Sequence, residues 1–214
     1  MQEKKRRGGR GAVNRDELPS KATKLLEAAS RVVCRDGFAA LSLDAVDEEA
    51  GEYRGSVRYY FRNKAGLIEA LVRLIMTEPH LEEKAEEVRR IPPGRERLTR
   101  HLQLWEPWAA NLDDCQLWAE LLPYVSRDPE LGAEVLELYD IWRAIDASLL
   151  DGDSELSQSD VETIATLIGT VIDGLQLLHV IDKKHDRSAD VFRVLGDMID
   201  AYMQSRHQDG GTRP

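Results

Sequence analysis

The chain has 214 residues, 42% of them hydrophobic, and a formal net charge of -10 at pH 7. This length suits one small domain and one larger domain with a substantial core. No apolar N-terminal run has the form of a signal peptide, and no stretch reaches the roughly 18 uninterrupted apolar residues of a membrane helix. We therefore expect a cytoplasmic protein without a membrane partner.

Charge is distributed unevenly along the chain. Residues 1–64 contain 14 Lys and Arg against 10 Asp and Glu, a net charge of +4, whereas the remaining residues carry -14. A basic first third on an acidic body indicates one end that faces DNA. Residues 1–18 form a basic, glycine-containing arm for which we predict disorder. This arm either tracks phosphates or enters a minor groove, or it is a solvated tail with no specific role.

Three short helices are predicted in the first third. The first spans Ser20 to Asp36 with a continuous apolar stripe and ends at Gly37. Ser42 can cap the second, and Gly51 suits the left-handed residue that ends it. The third is predicted from Arg54 to Phe61. Three helices in this order predict a helix-turn-helix domain that binds DNA.

The third predicted helix presents arginine, serine and tyrosine side chains outward. An arginine can fork onto guanine, serine and backbone amides reach base edges or phosphates, and tyrosine hydroxyls bind phosphate while their rings cover sugar. The candidate contacts to base edges are Arg54, Gly55, Ser56 and Arg58. The candidate contacts to phosphates are Ser42, Tyr59, Tyr60 and Lys64.

An ordered set of short motifs runs through residues 21–72. A helix closed by Arg-Asp-Gly-Phe at 35–38 is followed by one closed by Ala-Gly at 50–51, then by Tyr-Tyr-Phe at 59–61, and then by Lys64 and Leu67 of the next helix. This order resembles the DNA-binding domain of the TetR family of bacterial transcriptional repressors. The resemblance implies an all-helical repressor that binds DNA as a dimer.

Three residues depart from the family pattern. Asp47 stands where the family has a small alanine, and Glu52 stands where it has a valine. Tyr53 replaces the Ser or Thr that normally caps the recognition helix, so we expect that cap to be missing. The acids of the second helix are hypothesised to pair with Arg54 and Arg58 until DNA displaces them.

The rest of the chain is predicted to be helical throughout. The fold class is therefore all-α, with an N-terminal three-helix helix-turn-helix DNA-binding domain followed by a larger helical domain for ligand binding and dimerisation. The expected helices run from Ala65 to Arg90 with a kink at Pro79, and then over 95–111, 114–126, 129–150, 159–181 and 188–206. The expected domains are 1–18 (arm), 19–64 (DNA binding), 65–206 (effector binding and dimerisation) and 207–214 (flexible tail).

The helix predicted over 159–181 is apolar nearly all round, so it must be covered on more than one side. The resemblance implies that the last two helices form a homodimer interface, and a dimer implies a palindromic operator. A monomer with a fully internal helix is the alternative. Asp173, Gln176 and His179 form a polar stripe on this helix, either to orient a ligand or, as we favour, to cross the dimer interface.

All four tryptophans fall after residue 64, and large rings with a few polar groups suit a ligand pocket. Core packing is the alternative for any single tryptophan. The resemblance implies a small apolar or aromatic effector whose binding shifts the helix that begins at Ala65. The candidate ligand-binding residues are His101, Trp105, Trp108, Trp118, Tyr124, Trp142, Asp173 and Gln176.

No catalytic, metal or cofactor site is predicted. The five histidines show no metal-ligand spacing, and the sequence has no Gly-rich phosphate loop and no nucleophile elbow. Cys34 and Cys115 are expected to be reduced core thiols. The main prediction is a repressor released from its operator by an effector. The alternatives are a TetR-like DNA binder without a small ligand and a small helical enzyme.

Overall fold

The computed structural model describes residues 20–76, 80–150, 156–182 and 184–210, with side chains through residue 206. Within these ranges the secondary structure is helical and contains no strand, which confirms the predicted all-α class. The basic arm at 1–18 lies outside the described residues. The chain divides into two compact units, Met1–Pro79 and His80–Pro214.

The first unit contains four helices and one turn of 3-10 helix. Helix α1 matches its predicted bounds, and its apolar stripe is buried against the other elements. The 3-10 turn spans Phe38–Ala40. The helices are α1 (Ser20–Asp36), α2 (Leu43–Glu49), α3 (Ser56–Phe61) and α4 (Lys64–Met76).

Helix α4 belongs to the first unit, although the expected domain boundary lay before it. Leu67 and Leu71 on α4 are fully buried, and the helix packs against α1 and α3. A helix that completes the core of the three preceding helices must fold with them. The boundary therefore lies after Met76 rather than at residue 64.

Helices α3 and α4 approach each other closely at Gly66. A Cβ atom built on Gly66 would lie 2.3 Å from the carbonyl oxygen of Phe61, the last residue of α3. That distance is far below van der Waals contact, so only glycine fits at this position without a shift of the backbone. Asn63 lies between the helices, and its side chain accepts a hydrogen bond from the Gly66 amide at 2.9 Å. Asn63 therefore caps the start of α4.

The single kinked helix predicted from Ala65 to Arg90 is wrong. The chain forms α4 and a separate helix α5 (Leu81–Arg89), and His80 lies between them with φ of 61°. A left-handed residue cannot continue a right-handed helix, so the helix is interrupted rather than bent. The Pro-Pro-Gly segment at 92–94 separates α5 from the next helix.

Five further helices complete the second unit. Side-chain caps set the starts of two of them. Asn111 accepts from the amides of Asp113 and Asp114, so the helix there begins two residues earlier than predicted. Ser157 and Asp160 form a capping box. The helices are α6 (Arg95–Ala110), α7 (Leu112–Val125), α8 (Pro129–Leu150), α9 (Gln158–Ile181) and α10 (Ser188–Gly210). The last extends four residues into the expected tail.

Helix α9 lies at the centre of the second unit. It packs against α6, α7 and α8, and one face of it is buried there through Ile164, Ile168 and Ile172. Among the described helices it is the one long and apolar enough to cross a membrane by length and composition, with a mean hydropathy of 1.7. Its packing in this core gives an ordinary reason for that composition.

Candidate nucleic-acid interface and ligand pocket

The turn between α2 and α3 is set by two glycines and one buried carboxylate. Gly51 ends α2 with φ of 64°, and Gly55 precedes α3 with φ of 96°. Asp47 of α2 accepts from the Gly55 amide at 2.7 Å and from the Val57 amide at 2.8 Å. Because these bonds fix the backbone before the first turn, α3 begins at Ser56 and not at Arg54 as predicted.

Three other acids of α2 and the turn are paired with cations of the first unit. Asp44 binds Arg54. Glu49 binds Arg35 and Arg31, and Glu52 binds Lys21 and Lys24. The guanidinium of Arg54 lowers the pKa of Asp44, and the paired cations likewise lower the pKa values of Glu49 and Glu52.

The hypothesis that the acids of α2 pair with arginines of the recognition helix therefore holds in part. Asp44 pairs with Arg54 as expected. Within the described residues no salt bridge joins Arg58 to Asp44 or Asp47. Asp47 caps a helix instead of pairing with an arginine, because both of its oxygens accept from backbone amides.

The eight candidate DNA contacts are placed on consecutive elements of the first unit. Ser42 caps α2 by accepting from the Ala45 amide at 3.1 Å. Arg54 and Gly55 lie in the turn, Ser56, Arg58, Tyr59 and Tyr60 lie on α3, and Lys64 begins α4. Their contacts with DNA remain a prediction.

Tyr59 and Tyr60 differ in how much of the ring is available. Tyr59 is 82% exposed, whereas Tyr60 is half-buried with its ring edge-on to Tyr59 at 5.1 Å. The ammonium of Lys64 lies 4.7 Å from the ring centroid of Phe38. This cation–π contact positions Lys64 at the start of α4.

In the second unit, α6, α8 and α9 line a pocket of about 130 Å³ that opens to solvent. Trp105 and Trp142 form its aromatic wall, with ring centroids 6.0 Å apart. Trp108 supports that wall from outside the lining, because its ring lies edge-on to Trp142 at 4.3 Å. The lining residues are Trp105, Tyr139, Trp142, Arg143, Asp146, Ala165, Thr166, Gly169, Thr170, Ile172 and Asp173.

One carboxylate of the pocket is held by buried ring donors. Asp146 accepts from Trp105 Nε1 at 2.9 Å, and the same oxygen lies 2.6 Å from His101 Nε2. His101 is fully buried, and within the described structure its Nδ1 atom has no hydrogen-bond partner. This arrangement favours the tautomer that carries its proton on Nε2 and donates it to Asp146.

The second carboxylate of the pocket has a phenol as its partner. The Tyr139 hydroxyl donates to both oxygens of Asp173, at 2.9 Å each. Burial raises the pKa of Asp173, although the hydrogen bond from Tyr139 acts in the opposite direction. Burial also raises the pKa of Tyr139, and the negative charge of Asp173 adds to that effect. A cation in this pocket would relieve the cost of the buried carboxylate.

Sequence comparison with protein families covers both units. A family described as bacterial regulatory proteins, tetR family, matches residues 25–71, which contain the helix-turn-helix. A family described as BetI-type transcriptional repressor, C-terminal, matches residues 93–204. The chain belongs to the TetR family. No curated protein sequence gives a significant match.

Solved structures of TetR-like regulators share this fold. A transcriptional regulator from Rhodococcus sp. is 20% identical with a TM-score of 0.70, over 87% of this chain and 97% of that one. A regulator from Saccharomonospora viridis in complex with choline is 22% identical with a TM-score of 0.65, over 83% and 94%. FadR from Bacillus subtilis in complex with stearoyl-CoA is 17% identical with a TM-score of 0.67, over 82% and 96%.

The predicted ligand-binding residues divide into three groups in this TetR-family chain. Three of them line the pocket: Trp105, Trp142 and Asp173. Two adjoin it: His101 through Asp146, and Trp108 through the tryptophan rings. Three do not line it: Trp118, which is buried on α7, Tyr124, which is exposed, and Gln176, which is buried on α9.

Sequence reasoning missed several pocket residues. Tyr139, Arg143 and Asp146 recur on one face of α8, and Thr166, Gly169 and Thr170 share a face of α9 with the predicted Asp173. A stripe of small and polar residues on an otherwise apolar helix was the available signal for the second set. For the first set, the spacing of three to four residues between its successive members was the signal.

Burial within the single chain argues against the predicted role of Gln176 and His179 in crossing a dimer interface. Gln176 and His179 are buried within the single chain. His179 Nδ1 donates to the carbonyl oxygen of Ala109 at 2.8 Å, and its Nε2 lies 3.2 Å from Asp186. These groups join α9 to the end of α6 and the start of α10, so they stabilise the TetR-type second unit.

Proposed function

We propose that this TetR-family chain is a transcriptional repressor that binds a palindromic operator as a cytoplasmic homodimer and is released by a small effector. The proposal rests on the first unit, where the turn before α3 exposes Arg54 and the short helix α3 exposes Tyr59. The chain's match to a repressor family over residues 93–204 supports repression rather than activation or catalysis.

The exposed apolar faces of the last two helices support the homodimer. Both helices expose long apolar side chains, which soluble proteins usually bury. Contiguous exposed apolar patches of this kind mark interaction surfaces. A Cβ atom at Gly174 would meet nothing within 4 Å of the same chain, which leaves room for a close partner. The exposed residues are Leu167, Leu177, Leu178 and Ile181 on α9, and Val194, Met198 and Tyr202 on α10.

The pocket supports a small effector that combines apolar surface with a positive charge. Its volume of about 130 Å³ is below the roughly 300–1,000 Å³ of sites for drug-sized ligands. Indole faces and buried carboxylates attract organic cations. Arg143, the one basic residue in the lining, forms a salt bridge with Asp140. We therefore propose an alkylammonium or quaternary ammonium effector, which adds a charge to the apolar or aromatic ligand expected from sequence.

The choline complex of the Saccharomonospora viridis regulator is consistent with this class of ligand. Coupling between effector and operator is expected to be about 1 to 3 kcal/mol, or roughly 5- to 150-fold in DNA affinity. A second candidate function is a TetR-like DNA binder without a small ligand. The small volume of the pocket favours that candidate, because side-chain rearrangement alone would fill it.

Three measurements on the full chain test the proposal. Light scattering after size exclusion measures the oligomer, and selection from random duplexes identifies the operator. Tryptophan fluorescence and operator retention are then followed with choline, tetramethylammonium and the uncharged choline isostere 3,3-dimethylbutanol. Release by the cations and not by the isostere is the expected result. Operator binding without any response favours the second candidate, and equal binding to all duplexes overturns both.

A further inference from the structure

Asp146 on α8 presents one oxygen to its own chain and the other to the pocket. Trp105 Nε1 and His101 Nε2 both lie within hydrogen-bond distance of Oδ1, at 2.9 and 2.6 Å. Within the described residues Oδ2 accepts no hydrogen bond, yet it is not sealed off from solvent. Asp146 is only 3% exposed and lines the pocket, so the accessible side of Oδ2 faces the pocket.

The two ring donors hold the Asp146 carboxylate in one orientation. The indole nitrogen of Trp105 can only donate, so its bond fixes Oδ1 as the acceptor. The rings of Trp105 and His101 are both buried, which leaves neither of them free to turn away. Because two fixed donors share Oδ1, Oδ2 is in position before a ligand arrives. Such preorganisation reduces the entropy that binding would otherwise cost.

The other polar groups of the pocket are already bonded within the chain. Both oxygens of Asp173 accept from the Tyr139 hydroxyl, and Arg143 forms a salt bridge with Asp140. The two threonine hydroxyls of the lining donate to carbonyl oxygens one turn earlier on α9, at 2.8 Å each. Within the described part of the chain, Oδ2 of Asp146 is thus the carboxylate oxygen of the lining that has no partner.

A carboxylate oxygen withdrawn from bulk water binds most favourably to a charged N–H donor. A protonated primary, secondary or tertiary amine carries such a donor, whereas a quaternary ammonium carries none. The indole rings of Trp105 and Trp142 attract the positive charge of either kind of cation. The aromatic wall therefore suits both classes, and Oδ2 distinguishes between them.

We propose that Asp146 is the specificity-determining residue of the pocket and selects a small ammonium ion that keeps at least one N–H over a quaternary ammonium. This inference rests on the cationic effector of the proposed function and narrows it to one of its two classes. The ammonium donates to Oδ2, and its alkyl groups pack against Trp105 and Trp142. The pocket volume of about 130 Å³ restricts the effector to a few carbon atoms.

The first test is a methylation series, with binding measured by tryptophan fluorescence on the full chain without DNA. Its members are ethanolamine, N-methylethanolamine, N,N-dimethylethanolamine and choline, which are all cations at about pH 7. Each added methyl increases the apolar area, so burial alone predicts a steady rise in affinity. Only the last step removes the final N–H. We expect choline to bind about 10- to 100-fold more weakly than N,N-dimethylethanolamine, because one charge-assisted hydrogen bond is lost.

The second test assigns that preference to a residue. Asp146→Asn keeps an amide oxygen for the two ring donors and places an NH2 group at the position of Oδ2. This group cannot accept from the ammonium, so the affinity ratio of N,N-dimethylethanolamine to choline should fall to about one. Asp173→Asn is the matched control, because it removes the same charge from the same pocket. Both oxygens of Asp173 are bonded to Tyr139, so this variant should bind both cations more weakly and keep the ratio.

Three results overturn the inference and leave the cationic effector standing. In the first, choline binds the unaltered chain at least as tightly as N,N-dimethylethanolamine does. In the second the ratio survives Asp146→Asn, and in the third it disappears equally in Asp173→Asn. The methylation series needs no variant, so it remains decisive if Asp146→Asn unfolds. If none of the four cations binds, the cationic effector of the proposed function is wrong as well.

Discussion

Asp44 holds Arg54 through two parallel hydrogen bonds, Nε to Oδ1 at 3.1 Å and Nη2 to Oδ2 at 2.6 Å. The same fork of donors is what an arginine presents to the O6 and N7 atoms of guanine. Asp44 therefore occupies the donors that base recognition would use. If Arg54 contacts a base as predicted, DNA must first displace this carboxylate.

Replacing Asp44 with asparagine should strengthen DNA binding. The substitution removes a competitor for Arg54 and one negative charge near the phosphates. An exposed ion pair is a weak interaction, so we expect an affinity about 2- to 5-fold higher on operator. Fluorescence anisotropy at several salt concentrations measures the change. Glu137→Gln, an exposed substitution on α8, is the charge-matched control, and an equal gain there would remove Asp44 from this role.

Arg54→Ala and Lys64→Ala should lower DNA affinity in different ways. Loss of a bidentate base contact predicts about 1 to 3 kcal/mol on operator and relaxed preference at one base pair. Lys64→Ala should weaken all duplexes alike and flatten the salt dependence by about one unit. Competition binding with single-base operator variants distinguishes the two. Equal losses on operator and random duplex for Arg54→Ala would reassign Arg54 to a phosphate.

Affinity for a cationic effector should rise with pH. Burial raises the pKa of Asp173, so this carboxyl group ionises at a higher pH than an ordinary aspartate does. A cation binds the ionised form. Tetramethylammonium titrations followed by tryptophan fluorescence from about pH 4 to pH 7.5 measure this profile. Asp173→Asn should bind weakly and lose the rise. A retained rise in that variant would place the titrating group elsewhere.

The raised pKa of Asp173 also makes the free energy of unfolding of the effector-free protein depend on pH. A carboxyl group whose pKa is raised by folding contributes stability below its unfolded pKa, and that contribution is lost as pH rises through the folded value. Asp173→Asn should therefore reduce the loss of stability that occurs as pH rises from the unfolded to the folded pKa of Asp173. Urea unfolding at several pH values checks the sign.

Asp146→Ala should destabilise the second unit. The substitution leaves the buried Nε atoms of His101 and Trp105 without an acceptor, and each unsatisfied group costs about 1 to 3 kcal/mol. We expect a total loss of about 2 to 4 kcal/mol in the free energy of unfolding. Asp146→Asn retains one acceptor oxygen and should lose less. Equal losses for the two variants in urea unfolding would argue against the hydrogen bonds as the cause.

Leu178→Glu should convert the proposed homodimer into monomers and abolish binding to a two-half-site operator. Leu178 on α9 is 61% exposed in the single chain, so the charge should leave the fold intact and disrupt only a surface covered by a partner. Leu136→Glu on α8 is a matched control, because Leu136 is also 61% exposed. Light scattering measures the mass. A dimer that survives Leu178→Glu but not Leu136→Glu would move the interface to α8.

The sequence predicted helices well where one apolar stripe ended at a clear stop. Helix α1 ends before Gly37, and its bounds of Ser20–Asp36 were predicted, as were those of α8. The start of α3 was missed because its cap is Asp47, which periodicity cannot connect to a later helix. The break at His80 was missed because its positive φ has no local sequence signal.

The pocket was predicted only in part, for a related reason. Helical spacing identifies which residues share a face of one helix, but it does not say which faces of different helices meet. Trp105 and Trp142 were found as large rings, whereas Tyr139 and Asp173 become partners only when α8 packs on α9. Trp118 has the same composition signal and belongs to the core instead.

The missing side chain at Gly66 gives the first unit a mechanical property. Because no side chain fits between Gly66 and the Phe61 carbonyl, α3 and α4 are in close contact at their junction. A rotation of α4 is then expected to move the recognition helix α3 with it. A displacement of α4 is therefore expected to change the position of α3 as well.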